Sequence, residues 1–289
     1  MSADLKSACR FAKASDVAYY ISQPGGPSAC PFYKDVGFIA PPVTFVADEI
    51  NAAYVGTTAT EVIVAFRGTL KLDFTSWDAF VTSLLDWVND ADAKLRAVSY
   101  TSGQVHTGFA RTLQDLWGRV QPEVARQQAA SRLPVVVTGH SKGGGVAFLG
   151  ALRLQREGSA NVQAVYSFAG PRAGDEAYAN DFNSVFKGRC WRFENTDDIV
   201  PHLPPTLVFA AALARADRRL AGMTNEFYEA VGLLEFLNWN GTLTVGDSLV
   251  LELERTVHLA RLMTRFQLQQ IADDHSLEKQ YLPKLIAMA

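Results

Sequence analysis

The chain has 289 residues, 48% of them hydrophobic, and its 30 acidic and 27 basic side chains leave a formal net charge of −3. That length and apolar share suit one globular domain over residues 1–289 and exclude a disordered or fibrous chain. No basic run points to nucleic acid, and no apolar stretch reaches the roughly 18 residues of a membrane span, the longest patch, Leu207–Ala214, ending at Arg215.

Residues 2–21 read as an amphipathic helix, followed by a Pro/Gly-rich loop at Gln23–Pro31. Strands are predicted near Val43–Asp48, Ala52–Gly56 and Glu61–Phe66. Phe74, Trp77, Phe80, Val81, Leu84 and Leu85 then recur at helical spacing, as do Phe109, Leu113, Leu116, Trp117 and Val120. Pro122 is predicted to kink or restart the second of these helices. Leu133–Thr138, Val162–Phe168 and Arg189–Glu194 read as strands, separated by helices at Gly143–Arg156 and Glu176–Phe186. Asn240-Gly241 between Leu233–Leu237 and Thr242–Val245 is a β-hairpin signal, and helices near 253–270 and 276–287 close the chain. Strands alternating with helices make this an α/β chain.

The segment Val135-Val136-Val137-Thr138-Gly139-His140-Ser141-Lys142-Gly143-Gly144 carries the chemistry. A β-branched run delivers Ser141 to a tight turn, and a helix begins directly behind it. Glycines at 139 and 143 remove side chains where strand and helix must nearly touch, so the hydroxyl stands exposed. Such a serine needs a base, a carboxylate to orient that base and donors for an oxyanion. In open α/β hydrolases these follow in the order Ser, Asp or Glu, His. His202, His258 and His275 lie after Ser141. His275 sits in a polar junction between helix-like segments, whereas His258 falls within a periodic helix and reads as a surface or core-edge residue. His202 follows Val200-Pro201 and could line or merely flank the site. Asp197 and Asp198, beyond the strand Arg189–Glu194, both qualify as the carboxylate on chemistry alone.

Taken together, these pieces resemble the class 3 lipases. The resemblance runs over roughly residues 8 to 285. It rests on Val62–Thr69, Val105–Phe109, Thr138–Ser141, Phe168–Asp175, Asn195–Pro205 and Asp274–Tyr281, six blocks in the family's order. It implies an α/β-hydrolase fold: a mostly parallel central sheet flanked by helices, with a helical lid and a C-terminal β-hairpin. The aspartate two before Val-Pro is the catalytic one in the family, which selects Asp198. The implied triad is therefore Ser141, Asp198 and His275, with Thr69 and the Lys142 N–H as oxyanion donors. Lysine at 142 departs from the aliphatic residue usual there, and its ammonium is expected to reach outward from the helix N-terminus. The stretch from Asp198 to His275 is longer than the family's usual spacing, and the extra length is expected as helix around Leu207–Met223.

Leu72–Trp87 lies where the family carries its lid, so Trp77 and Phe80 are expected to face acyl chains, with His140 and His202 as further substrate-side residues. The implied activity is that of a carboxylester hydrolase on acylglycerols. A phospholipase A1 or galactolipase on the same machinery is the alternative, with Arg215, Arg218 and Arg219 available to a phosphate headgroup. A catalytically silent binding protein of the same fold is the third reading. This chemistry requires no cofactor and no metal, and the expected partners are an ester substrate and a lipid–water interface. Met1–Arg10 lacks the charged start and apolar core of a signal peptide, and Cys9, Cys30 and Cys190 suit reduced thiols. The expectation from these is a cytoplasmic protein or one exported by a signal-less route.

Overall fold

The structure, a computed structural model, describes residues 1–68, 72–89, 94–222 and 227–289. Helix α1 (Leu5–Val17) starts at Asp4, whose carboxylate accepts from the Ser7 N–H, and a short α2 (Tyr33–Val36) follows. Strands β1 (Val43–Val46), β2 (Ala52–Thr57) and β3 (Val62–Phe66) form an antiparallel meander. After α3 (Trp77–Asn89), a small ribbon of β4 (Leu95–Ala97) and β5 (Gln104–His106) leads into α4 (Thr107–Ser131). Then β6 (Val135–His140), α5 (Lys142–Arg156), β7 (Val162–Phe168), α6 (Glu176–Phe186) and β8 (Cys190–Asn195) alternate. Helix α7 (Leu207–Ala216) precedes the hairpin β9 (Leu233–Leu237) and β10 (Leu243–Val245). Helices α8 (Leu249–Thr264), α9 (Leu268–His275) and α10 (Leu282–Met288) complete the chain, with a π-turn at Leu277–Tyr281 before the last.

Among the described residues eight strands form one sheet, in the order β1-β2-β3-β6-β7-β8-β9-β10. The five from β3 to β9 run parallel, and the meander and hairpin place antiparallel strands at its edges. Strand alternation assigns the faces. Val62, Val64 and Phe66 point with Val135 and Val137 into a core under α4, α5 and α6, while Ile63, Ala65 and Val136 point to the core under α1 and α10. Both faces are thus covered, which is why β3 and the Val135–Val137 start of β6 read as unbroken apolar runs. A third cluster joins Phe80, Val81 and Leu84 of α3 to Phe209 and Leu213 of α7, Leu259 of α8, Ile271 of α9 and the Ile199–Leu203 loop. These helices form a cap at the strands' C-terminal ends.

Two expected elements differ. Pro122 neither breaks nor restarts its helix, because α4 runs uninterrupted through it. The proline lies on the exposed face, so the carbonyl of Gly118 that loses its partner is open to water, and glycine there leaves room for the ring. Leu116, Trp117, Val120 and Val124 are buried on both sides and hold the axis together. The predicted helix near 253–270 is instead two helices, divided where Phe266 adopts φ 55°. In consequence His275 is the last residue of α9, not part of a loop.

Candidate active site

Ser141 sits between β6 and α5 with φ 58° and ψ −134°, a backbone region that costs a side chain roughly 1–3 kcal/mol. The surroundings impose it. Its N–H donates to the Phe168 carbonyl at 2.9 Å, and its own carbonyl accepts from the Gly144 N–H at 2.8 Å. A Cβ on Gly139 would overlap the Gly143 carbonyl, and one on Gly143 would overlap the Phe66 carbonyl. The expected glycine roles at these two positions are therefore present as close backbone approach.

Three expected residues come together here. The Ser141 hydroxyl lies 2.9 Å from His275 Nε2, and His275 Nδ1 lies 3.0 and 3.1 Å from the two carboxylate oxygens of Asp198. Asp198 is fully buried and its oxygens are held from two further sides, by the Val200 N–H at 3.0 Å and the Tyr281 hydroxyl at 2.7 Å. Tyr281 in turn accepts from the Asn195 N–H at 3.1 Å, and burial together with the Asp198 charge keeps its hydroxyl protonated far above its ordinary range. Asp197, the other carboxylate that sequence left open, points away and accepts from the Trp239 indole at 2.9 Å. Tyr281 and Asn195 carry no signal in the sequence that would single them out, since each acts through atoms brought close only by folding.

His140 fastens the imidazole from behind. Its Nε2 lies 2.9 Å from the His275 carbonyl, which can only accept, so Nε2 carries the proton and Nδ1 accepts from the Tyr19 hydroxyl at 2.7 Å. Burial, then the neighbouring His275, hold His140 well below the usual histidine range and hence neutral. The Asn195 side-chain amide donates to the preceding carbonyl, that of Asp274, at 2.8 Å. A cleft of about 540 Å³ opens over Ser141, lined by Tyr19, Tyr20, Gly68, His140, His275 and Leu277 among others.

The class 3 lipase profile matches residues 63–208, half of the chain. The chain belongs to the class 3 lipase family. A relative from Fusarium solani named secreted mono- and diacylglycerol lipase 1 is 29% identical over 62% of this chain and 51% of its own. A lipase from Rhizomucor miehei is 34% identical over 61% of this chain and 46% of its own. A protein of Oryza sativa subsp. japonica named phospholipase A1-II 4 is 28% identical over 56% and 44%. The chain spans about half the length of the curated relatives it matches. The lipase from Rhizopus microsporus var. chinensis shares the fold, with a TM-score of 0.62 at 24% identity over 82% of this chain and 75% of that one. The α/β-hydrolase fold expected of a class 3 lipase is therefore the one this family member adopts.

Other expectations need correction. His202 does not reach the Ser141 cleft; it is buried against the Phe209 ring at 4.6 Å, and its carbonyl accepts from Arg172 at 2.7 Å. The Lys142 ammonium does not extend into solvent but donates to the Asn51 side chain at 2.7 Å. Phe80 is fully buried, while Trp77 is half-buried and donates to Asp217 at 3.0 Å. Thr69 lies outside the described residues. The expectation of a cytoplasmic or signal-less protein is overturned by the relatives from Fusarium solani and Malassezia restricta, both named as secreted.

Asp16 borders the same cleft, where burial lifts its carboxyl to about 6 against the hydrogen bond it receives from the Cys30 thiol at 3.3 Å. Between the ordinary 3.8 and about 6 the folded chain keeps a proton that the unfolded chain has released, so stability falls as pH rises through that window. Asp16→Asn is expected to stabilise the protein by about 1–2 kcal/mol at pH 8 and to change little at pH 4. Thermal unfolding at the two pH values checks this; equal shifts at both would contradict it.

Proposed function

We propose that this chain is a serine carboxylester hydrolase of the lipase type that cleaves acylglycerol esters. The observation that carries the reading is the continuous hydrogen-bonded line from Asp198 through His275 to Ser141, with both contacts near 3 Å. As Ser141 Oγ bonds to the ester carbonyl carbon, His275 Nε2 takes its proton. The carbonyl oxygen becomes an oxyanion, for which the Lys142 N–H in the first turn of α5, directly after the nucleophile, is the donor, joined by Thr69 on the family resemblance. When the tetrahedral species collapses, the ester C–O bond breaks and the same proton passes to the leaving alcohol. Water then repeats the sequence on the acyl-enzyme and releases the fatty acid. Asp198 holds Nδ1 protonated and balances the imidazolium, while Val200 and Tyr281 hold Asp198. Export fits the reading, as for the relatives named secreted.

Labelling by a fluorophosphonate, mapped to Ser141 by mass spectrometry, tests the nucleophile. An unlabelled but folded protein would turn the reading towards a binding protein. The relative named phospholipase A1-II 4 favours a second reading in which the substrate carries a phosphate headgroup. Of the three arginines considered for that headgroup, Arg219 is already engaged by Asp217 and Asp78. Rates on triacylglycerol, diacylglycerol and phosphatidylcholine at matched chain length separate the two.

Helix α3 is the lid in this proposal. Since Phe80 supports the cap from within, Trp77 is the informative position. Trp77→Ala is expected to reduce hydrolysis of emulsified long-chain triacylglycerol about tenfold while leaving a soluble short-chain ester within about twofold. Equal losses on the two would make α3 an ordinary packing helix.

A further inference from the structure

We infer that α7 and α8 form a docking face for an anionic lipid bilayer, apart from the Ser141 cleft and bordering α3. Helix α8 has two apolar sides. One, with Leu251, Leu259 and Met263, is buried. The other is not: Leu249 is 66% exposed and Val250 75%, and Leu253 and Val257 continue the same stripe. At 3.6 residues per turn these four cover about 100° of the helix surface, an apolar stripe left exposed among the described residues. Helix α7 repeats the arrangement, with Leu207 62% exposed and Val208 and Ala211 on the same side. The Thr206 hydroxyl donates to Glu252 at 3.2 Å and so fastens the two apolar starts beside each other. Single exposed apolar residues are ordinary, but adjoining stripes on neighbouring helices mark an interaction surface.

Charge identifies the occupant. Each stripe ends in a basic last turn, with exposed Arg215 and Arg218 at and beyond the end of α7 and exposed Arg261 and Arg265 at the end of α8. Of the carboxylates near the helix starts, Asp247 is bridged to Arg192 and Glu252 to Thr206, and Glu254 is the exposed acid on α8. An apolar stripe bordered by arginines is the arrangement of a helix lying in the headgroup layer of an anionic membrane. The face also continues towards the cap, because Phe266, just past Arg265, meets the Trp77 ring edge-on at 5.3 Å. Such a face would hold the protein on a membrane before α3 moves.

Vesicle flotation tests this without relying on hydrolysis. The Ser141→Ala protein serves as parent, so that a failure of the triad assignment and a failure of docking read out separately. It is expected to bind phosphatidylcholine vesicles containing phosphatidylglycerol and to bind pure phosphatidylcholine at least about tenfold more weakly, with about fivefold lost per basic residue removed. Leu249→Ser, Val250→Ser and Leu253→Ser together are expected to weaken binding at least about tenfold. In the otherwise unmodified chain they should leave hydrolysis of a soluble short-chain ester unchanged. Arg215→Glu with Arg261→Glu should abolish the preference for anionic vesicles. Equal binding by parent and serine variant would overturn the proposal. So would a concentration-dependent dimer in sedimentation that the serine variant dissociates, since a second copy would then be what covers the face.

Discussion

Ser141→Ala is expected to reduce ester hydrolysis by about 10⁵-fold or more, to abolish fluorophosphonate labelling and to leave thermal unfolding unchanged. The substitution keeps the Cβ at the strained turn, so the backbone bonds to Phe168 and Gly144 persist and only the hydroxyl facing His275 is lost. Asp198→Asn should fall short of that, at about 10⁴-fold, because an amide can leave the imidazole in the wrong tautomer while nucleophile and oxyanion donors stay in place. The pair is more informative than either alone. If the serine variant kept more than about one per cent of the parent rate with chromatographically pure enzyme, the site would have to be sought elsewhere.

Glu194→Gln is expected to destabilise the fold by about 3–5 kcal/mol, lowering the melting temperature by about 10 °C, with rate per folded molecule preserved at room temperature. Glu194 is buried between Arg192, at 2.8 Å, and Arg255. These groups line a cavity of about 510 Å³ below the starts of α7 and α8. Arg192 also donates to the Gly232 carbonyl at 2.8 Å, so the strand β8 that leads to Asp198 is tied to β9 through this cluster. Removing the one carboxylate that both guanidinium groups share leaves buried charge uncompensated. Burial alone would raise the Glu194 carboxyl, but Arg255 and Arg192 outweigh it and hold the group at about 2, below the ordinary 4.5. Its contribution is therefore complete above about pH 4.5 and lost as pH falls through about 2. The variant should show a flatter acid limb in calorimetric unfolding. A melting temperature within 2 °C of the parent would show that the cluster contributes little.

The fold was most legible where one property dominated. The strand Val162–Phe168 and the helix Glu176–Phe186 have the predicted bounds, the first a mostly apolar stretch and the second a periodic one opened by a capping Asp175. Local rules did less well where the environment compensates. Pro122 is harmless because its face is wet and Gly118 stands one turn earlier, and the α8–α9 division has no glycine or proline to announce it. The ribbon of β4 and β5 is too short for its alternation to stand out. At the candidate site, spacing and resemblance suggested the three groups that lie together, but not the Tyr281 and Asn195 contacts around Asp198 or the Tyr19–His140 pair behind His275. Those contacts join residues from distant elements, and no local pattern encodes them. The inward turn of His202 and of the Lys142 side chain escaped for the same reason, each being decided by one partner, Phe209 and Asn51.

The carbonyls of two successive residues, Asp274 and His275, are each gripped by a side chain rooted at a strand terminus, Asn195 of β8 and His140 of β6. The imidazole thereby takes its position from the central scaffold and owes little to the 77 positions of sequence that separate it from its carboxylate. Within that excursion β9 belongs to the sheet and α9 carries the histidine, but the α7 segment between them and Asp198 can lengthen, shorten or acquire a new surface while the proton path keeps its geometry. Grafting a different cap between those two moorings is thus a route to altered substrate range that leaves the reacting atoms where they are.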